Sequence, residues 1–79
     1  MGLSRQGLSH RALGIVGDAY EVGRQELVRD ARTAWTWRGT ADDLAMWVSE
    51  HHGWPAKMAV GYLTALARAR EWNKPSAEW

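Results

Sequence analysis

The chain has 79 residues, with ten Lys and Arg against nine Asp and Glu. Its net charge of +1 lacks the clear basic excess of a dedicated nucleic-acid binder, and a chain this short forms at most one domain. It contains no cysteine, which excludes disulfides, thiolate metal sites and a cysteine nucleophile.

The first part of the chain predicts an arm followed by helix. Residues 1–8 are polar and predict a flexible N-terminal arm. Apolar residues then recur near the helical period of 3.6, at Leu13, Val16, Tyr20, Leu27, Ala31 and Trp35. Glycines interrupt this pattern, so it fits either one helix from about residue 10 to residue 36 or two helices with a break near Gly17. The spacing of Asp18 and Glu21 matches a capping box and favours the break.

A helix end and a new helix start are predicted around Gly39. This glycine is expected to take the left-handed conformation that ends a helix. Thr40 then caps the next helix, and Asp42 and Asp43 lie in its first turn, where the helix dipole favours negative charge. The apolar stripe of that helix is predicted to be buried and consists of Leu44, Trp47, Val48 and His51.

A short corner at Gly53-Trp54-Pro55 precedes the last predicted helix, which runs to about Trp72 and is expected to project from the body at one end. Its predicted buried face carries Val60, Leu63, Leu66 and Ala67. Its opposite face carries Lys57, Gly61, Thr64, Arg68 and Glu71. No alternating run predicts a strand. The sequence therefore predicts an all-α fold of three or four helices, a helix-turn-helix-like corner at residues 52–55, one domain over residues 9–72 and a C-terminal tail over residues 73–79.

The sequence favours no catalytic or metal-binding interpretation. His51 and His52 are adjacent, and neighbouring side chains on a helix point about 100° apart, so the pair does not converge on one ion. No phosphate loop, dinucleotide fingerprint or nucleophile elbow is present. We expect a protein that is not an enzyme and that carries no cofactor or metal.

Two segments carry a resemblance to a known family. Thr40 to Val48 is a Thr-capped helix with a Leu-Ala pair, and Val60 to Arg68 carries spaced leucines after an apolar residue. Together they resemble the helix-turn-helix of small bacterial and phage transcription regulators, over roughly 30 residues. The interval from Ala45 to Val60 is about five residues longer than in the compact form of that motif.

The resemblance implies a regulator that binds double-stranded DNA through its last helix. The residues that would face the major groove are Lys57, Gly61, Tyr62, Thr64 and Arg68. Two cations on that face imply weak binding by a monomer, so the resemblance also implies a homodimer that reads two half-sites.

The six tryptophans favour an alternative function. Trp47 and one of Trp35 or Trp37 are predicted to be core residues, and Trp54 is predicted to hold the corner. Exposed tryptophan is enriched at binding hot spots, because it buries a large apolar area at low entropic cost. The alternative is therefore a protein-binding module or small inhibitor, whose partner contacts would be Trp37, Arg38 and Trp72.

The location of the protein is predicted from its apolar content. No apolar run approaches the ~18 residues that cross a membrane, and the first residues lack the apolar core of a signal peptide. We therefore expect a cytoplasmic protein without a membrane partner. The abundance of Ala, Arg, Gly and Trp is typical of a GC-rich bacterial or phage genome.

Overall fold

The computed structural model describes residues 10–72, with side chains described for residues 13–71, and this part of the chain is all-α. Its four helices are α1 (His10–Tyr20), α2 (Arg24–Trp35), α3 (Ala41–His52) and α4 (Ala56–Trp72). The predicted all-α fold is confirmed. The predicted arm over residues 1–8 and the predicted tail over residues 73–79 lie outside the described residues. Within residues 10–72, no helix combines the length and the apolar character needed to cross a membrane.

The predicted break between the first two helices occurs at residues 21–23, later than the position near Gly17. Glu21 has a φ of 54°, which places it in the left-handed region, and the amide of Val22 donates to the carbonyl of Gly17 at 3.1 Å. This is the hydrogen bond that closes a Schellman motif at a helix C-terminus. The capping box predicted for Asp18 and Glu21 is therefore wrong, because Asp18 lies inside α1 and Glu21 ends it.

The second helix ends within one residue of the predicted position, at about residue 36. It stops at Trp35, and the hydroxyl of Thr36 donates to the Arg32 carbonyl at 2.8 Å. Gly39 does not have the predicted left-handed φ. Its small size matters instead, because a Cβ at this position would lie 3.0 Å from Nε1 of the Trp37 indole. The glycine permits the close approach of that ring.

The start of α3 and the corner after it form as predicted. The hydroxyl of Thr40 accepts a hydrogen bond from the Asp43 amide at 3.1 Å. Gly53, with φ 72° and ψ 30°, ends α3 in the left-handed conformation that glycine adopts without steric cost. The Ser49 hydroxyl donates to the Trp54 carbonyl at 2.6 Å, which holds the chain as it turns. The carbonyl of Pro55 then accepts from the amides of Met58 and Ala59 in the first turn of α4.

Helix α4 is the central helix, since α1, α2 and α3 all pack against it. The sequence predicted a last helix that projects from the body at one end, whereas α4 packs against the other three helices. Its buried residues are Ala59, Tyr62, Leu66 and Ala69. The predicted buried face is confirmed for Leu66, and Leu63 packs against the core. It is wrong for Val60 and Ala67, which are exposed, and it missed Tyr62, which is fully buried. The rest of the core comes from the other helices: Leu13, Val16, Leu27, Ala31 and Val48.

We predict that Glu21→Gly stabilises the protein by about 1 kcal/mol, because glycine removes the steric cost that other residues bear in the left-handed region. Thermal unfolding followed by circular dichroism should show a melting temperature about 4–8 °C higher. Glu21→Ala is the matched control, since it removes the same charge and keeps the Cβ. Equal stabilisation by both variants would assign the effect to charge and contradict the backbone explanation.

Candidate functional site

A buried carboxylate lies where α2, α3 and α4 meet. Asp30 is only 1% exposed, and its Oδ2 accepts a hydrogen bond from the Tyr62 hydroxyl at 2.8 Å. The His52 Nε2 lies 2.7 Å from the same oxygen. The Asp30 Oδ1 lies 3.8 Å from Arg29 Nε and has no hydrogen-bond partner among the described residues. Asp30, His52 and Tyr62, which we call the Asp30 cluster, therefore connect three of the four helices.

Asp30 was not among the site residues predicted from the sequence. On α2 it lies three residues after Leu27 and directly before Ala31, and all three are buried on one face of the helix. A carboxylate within an apolar stripe was the available signal, because such a residue needs a partner on another element. Nothing in the spacing of the sequence identified His52 and Tyr62 as the partners.

Of the two adjacent histidines, His52 and not His51 lies on the inner side of α3. His51 was expected to complete the buried stripe, but it is exposed and contacts the Arg29 guanidinium. The side chain of His52 is only 7% exposed, and its ring is held between Asp30 and the Trp54 indole. One step along a helix turns a side chain by about 100°, so a small error in rotation exchanges the two environments.

Aromatic rings surround the Asp30 cluster and hold the corner. The rings of His52 and Trp54 stack, with centroids 4.2 Å apart and planes 12° apart. Tyr62 meets Trp54 edge-on at 5.1 Å, and it meets Tyr20 of α1 edge-on at 5.3 Å. Edge-to-face and offset contacts of this kind each contribute about 0.5–1.5 kcal/mol beyond area burial. The predicted role of Trp54 in holding the corner is consistent with these contacts.

A second group of rings lies on the outside of α3, and with Arg38 we call it the Trp37 surface (Trp37, Arg38, Trp47 and His51). The planes of Trp47 and His51 are within 5° of parallel, with centroids 5.0 Å apart, and Trp37 lies 6.4 Å from Trp47. The Trp37 indole donates to the Thr40 carbonyl at 3.0 Å, while Arg38 is exposed. The third predicted partner contact, Trp72, is the last residue of α4, and its side chain lies outside the described residues.

The outer face of α4 holds only part of the predicted DNA-binding set. Lys57, Thr64 and Arg68 are exposed. Tyr62 is fully buried and donates its hydroxyl to Asp30, so its assignment to DNA contact is wrong for this fold. Gly61 is partly buried against α1, and a Cβ there would lie 2.9 Å from the Tyr20 hydroxyl.

An open groove of about 410 Å³ lies between the end of α1 and the corner. We call it the acidic groove, because two exposed carboxylates and no Lys or Arg line it. Its main lining residues are Tyr20, Glu21, Glu26, His52, Trp54 and Met58. Neither carboxylate was singled out by the sequence analysis as part of a site, because the two belong to different elements.

The Asp30 cluster contains groups that can exchange protons, but it is closed. Burial, the hydrogen bond to Asp30 and the negative charge of that residue raise the pKa of Tyr62 well above its usual value. A phenol in this environment holds its proton and acts as a structural donor. Within the part of the chain that the structure describes, no three His, Asp or Glu residues are grouped to hold a metal ion.

The raised pKa of Tyr62 predicts that the protein loses stability at high pH. Above about pH 10 a tyrosine in the unfolded chain ionises, while the buried phenol keeps its proton, so the unfolded state binds fewer protons. The stability of the wild type relative to Tyr62→Phe should therefore fall by about 1.4 kcal/mol per pH unit above that value. Urea unfolding at a series of pH values measures the difference. Parallel curves for the two proteins would contradict the prediction.

The geometry thus divides the candidate functional residues among a buried cluster, two surfaces and a groove. The Asp30 cluster holds the helices together, the Trp37 surface lies beside α3, and the outer face of α4 carries two cations. Comparison of the chain with protein-family models, with curated proteins and with solved structures finds no match.

Proposed function

We propose that this chain is a protein-binding module that contacts its partner through the Trp37 surface. The observation that supports this most strongly is the row of Trp37, Trp47 and His51. Trp47 packs against the core on one side, Trp37 is partly buried and His51 is exposed. Each ring is only partly covered or is exposed, yet each has a fixed neighbour. Rings held in this way offer apolar area to a partner without a large loss of side-chain entropy on binding.

The polar groups around these rings suit a protein interface. The Trp37 Nε1 already donates to the Thr40 carbonyl, so burying that ring under a partner leaves no donor unsatisfied. Arg38 is exposed next to it, and the Arg29 guanidinium contacts His51 on the other side. A rigid aromatic centre with arginine at its edge matches the composition of binding hot spots. A second copy of this chain is one partner that the surface could contact.

We predict that Trp37→Ala and Arg38→Glu each weaken partner binding by about 2 kcal/mol, or roughly 30-fold. Affinity capture with the tagged chain, from cells that naturally produce it, identifies the partner by mass spectrometry. Calorimetry then measures each variant, and sedimentation tests self-association. Met46→Ala is the control, because Met46 is 59% exposed on α3 and is not part of the Trp37 surface. If the partner binds all three variants as tightly as the wild type, the proposal fails.

A second candidate function is binding of double-stranded DNA by α4. Lys57, Thr64 and Arg68 are exposed on one face of a helix that follows a three-residue corner, as the helix-turn-helix resemblance implies. Against this, the two cations are 11 positions apart, roughly 16 Å along a helix, so they give few phosphate contacts. Glu21 and Glu26 also line the groove beside Met58, near the start of α4, and would repel phosphate.

If α4 binds DNA, duplex affinity should fall as salt rises, and Lys57→Glu with Arg68→Glu should lower the slope of log affinity against log salt by about 2. Fluorescence anisotropy of a labelled duplex between about 50 and 200 mM salt measures that slope. The charge-reversal control is Arg38→Glu, which lies outside α4. An unchanged slope in the double variant would exclude α4 as the contact.

A further inference from the structure

We infer that the acidic groove binds an arginine side chain from a segment of a protein partner. The groove lies on a different surface from the one proposed above, so it is a separate binding site. The rings of Tyr20 and Trp54 line it together with the carboxylate-bearing residues Glu21 and Glu26. Its volume of about 410 Å³ lies within the range of pockets that hold a bound group, and its open form gives access to a peptide.

The charge of the groove selects a cation. Glu21 is exposed, and the side chain of Glu26 is 53% exposed. His52 is the only residue of the groove lining that can become positive, and Asp30 lies directly behind it at 2.7 Å. The buried carboxylate therefore offsets the charge of the His52 ring when the ring is protonated. The groove stays negative in either state of the histidine.

Arg29, which forms an ion pair with Glu26, does not block the groove. Arg29 lies 3.9 Å from Glu26, but both side chains are about half exposed. An ion pair of this kind, between two long and solvated side chains, contributes only about 0–1 kcal/mol. The Arg29 guanidinium also contacts His51, on the Trp37 surface. A ligand cation can therefore compete for Glu26 without disrupting the fold.

The combination of rings and carboxylates favours arginine over lysine. A guanidinium is planar, so it stacks on an aromatic ring and donates two parallel hydrogen bonds to one carboxylate. An ammonium group does neither, and it loses more hydration energy on leaving water. Tyr20 and Trp54, whose centroids are 5.8 Å apart, supply the aromatic surface beside Glu21. Both kinds of residue, aromatic rings and carboxylates, thus line one groove.

The test is an NMR titration of the ¹⁵N-labelled protein with the peptide acetyl-Gly-Gly-Arg-Gly-Gly-amide. We expect saturable shifts of the Trp54 indole and of the amides of Tyr20, Glu21 and Glu26. A peptide with citrulline, which is the uncharged isostere of arginine, should bind about tenfold more weakly or worse, and a lysine peptide should also bind more weakly. Equal binding of the citrulline or lysine peptide would overturn the assignment to arginine.

Variants of the carboxylates locate the site. The double variant Glu21→Gln with Glu26→Gln should weaken the arginine peptide about tenfold, since it removes both charges and keeps the size of each side chain. Glu50→Gln, an exposed carboxylate on α3 outside the groove lining, is the control and should bind as the wild type does. Arg38→Glu should also bind normally, which separates this site from the Trp37 surface. Unchanged binding by the double variant, or shifts located elsewhere, would overturn the inference.

Discussion

The buried carboxylate of Asp30 is the constraint on which the rest of the structure depends. Removing an ionised carboxylate from water costs several kcal/mol unless it is paired and hydrogen-bonded. Here the partners come from two other helices, His52 on α3 and Tyr62 on α4. The contacts to Asp30 therefore fix α2, α3 and α4 relative to one another. Rotation of α3 or of α4 by one residue would remove one of the two partners of this carboxylate.

The contact between Asp30 and His52 also positions the acidic groove and the Trp37 surface. His52 stacks on Trp54, and Trp54 contacts Tyr20 at the edge of the acidic groove. His51 directly precedes His52 on α3. Its ring meets the His52 ring edge-on at 5.2 Å and stacks on Trp47 in the Trp37 surface. Because neighbouring rings touch, the groove and the Trp37 surface are parts of one packed aromatic row. A substitution in the Asp30 cluster would therefore alter the ring packing of both the acidic groove and the Trp37 surface.

Charge placement decides which partners the surfaces favour. With a net charge of only +1, the chain has no broad field that attracts nucleic acid, so local charge controls recognition. Glu21 and Glu26 line one groove near the start of α4, whereas Lys57 and Arg68 are spread along its outer face. Two like charges that line one groove beside aromatic rings bind a discrete cation more readily than two distant cations bind a polyanion. This asymmetry is the physical reason to favour a protein partner.

The sequence by itself determined the helical class, the cap at Thr40, the corner at Gly53 to Pro55 and the end of α3, because these depend on contacts within a few residues. It did not determine the helix rotations. On α3 the predicted stripe of Leu44, Trp47 and Val48 does face the core, but His52 and not His51 continues it. On α4, Leu66 is buried as predicted, whereas Tyr62 was placed on the wrong face. Apolar spacing fixes a helix face only to within about one residue, since several neighbouring positions carry similar hydrophobicity. Only the tertiary structure brings Asp30, on α2, next to α3 and α4. Its carboxylate then holds His52 and Tyr62 on the inner side of their helices.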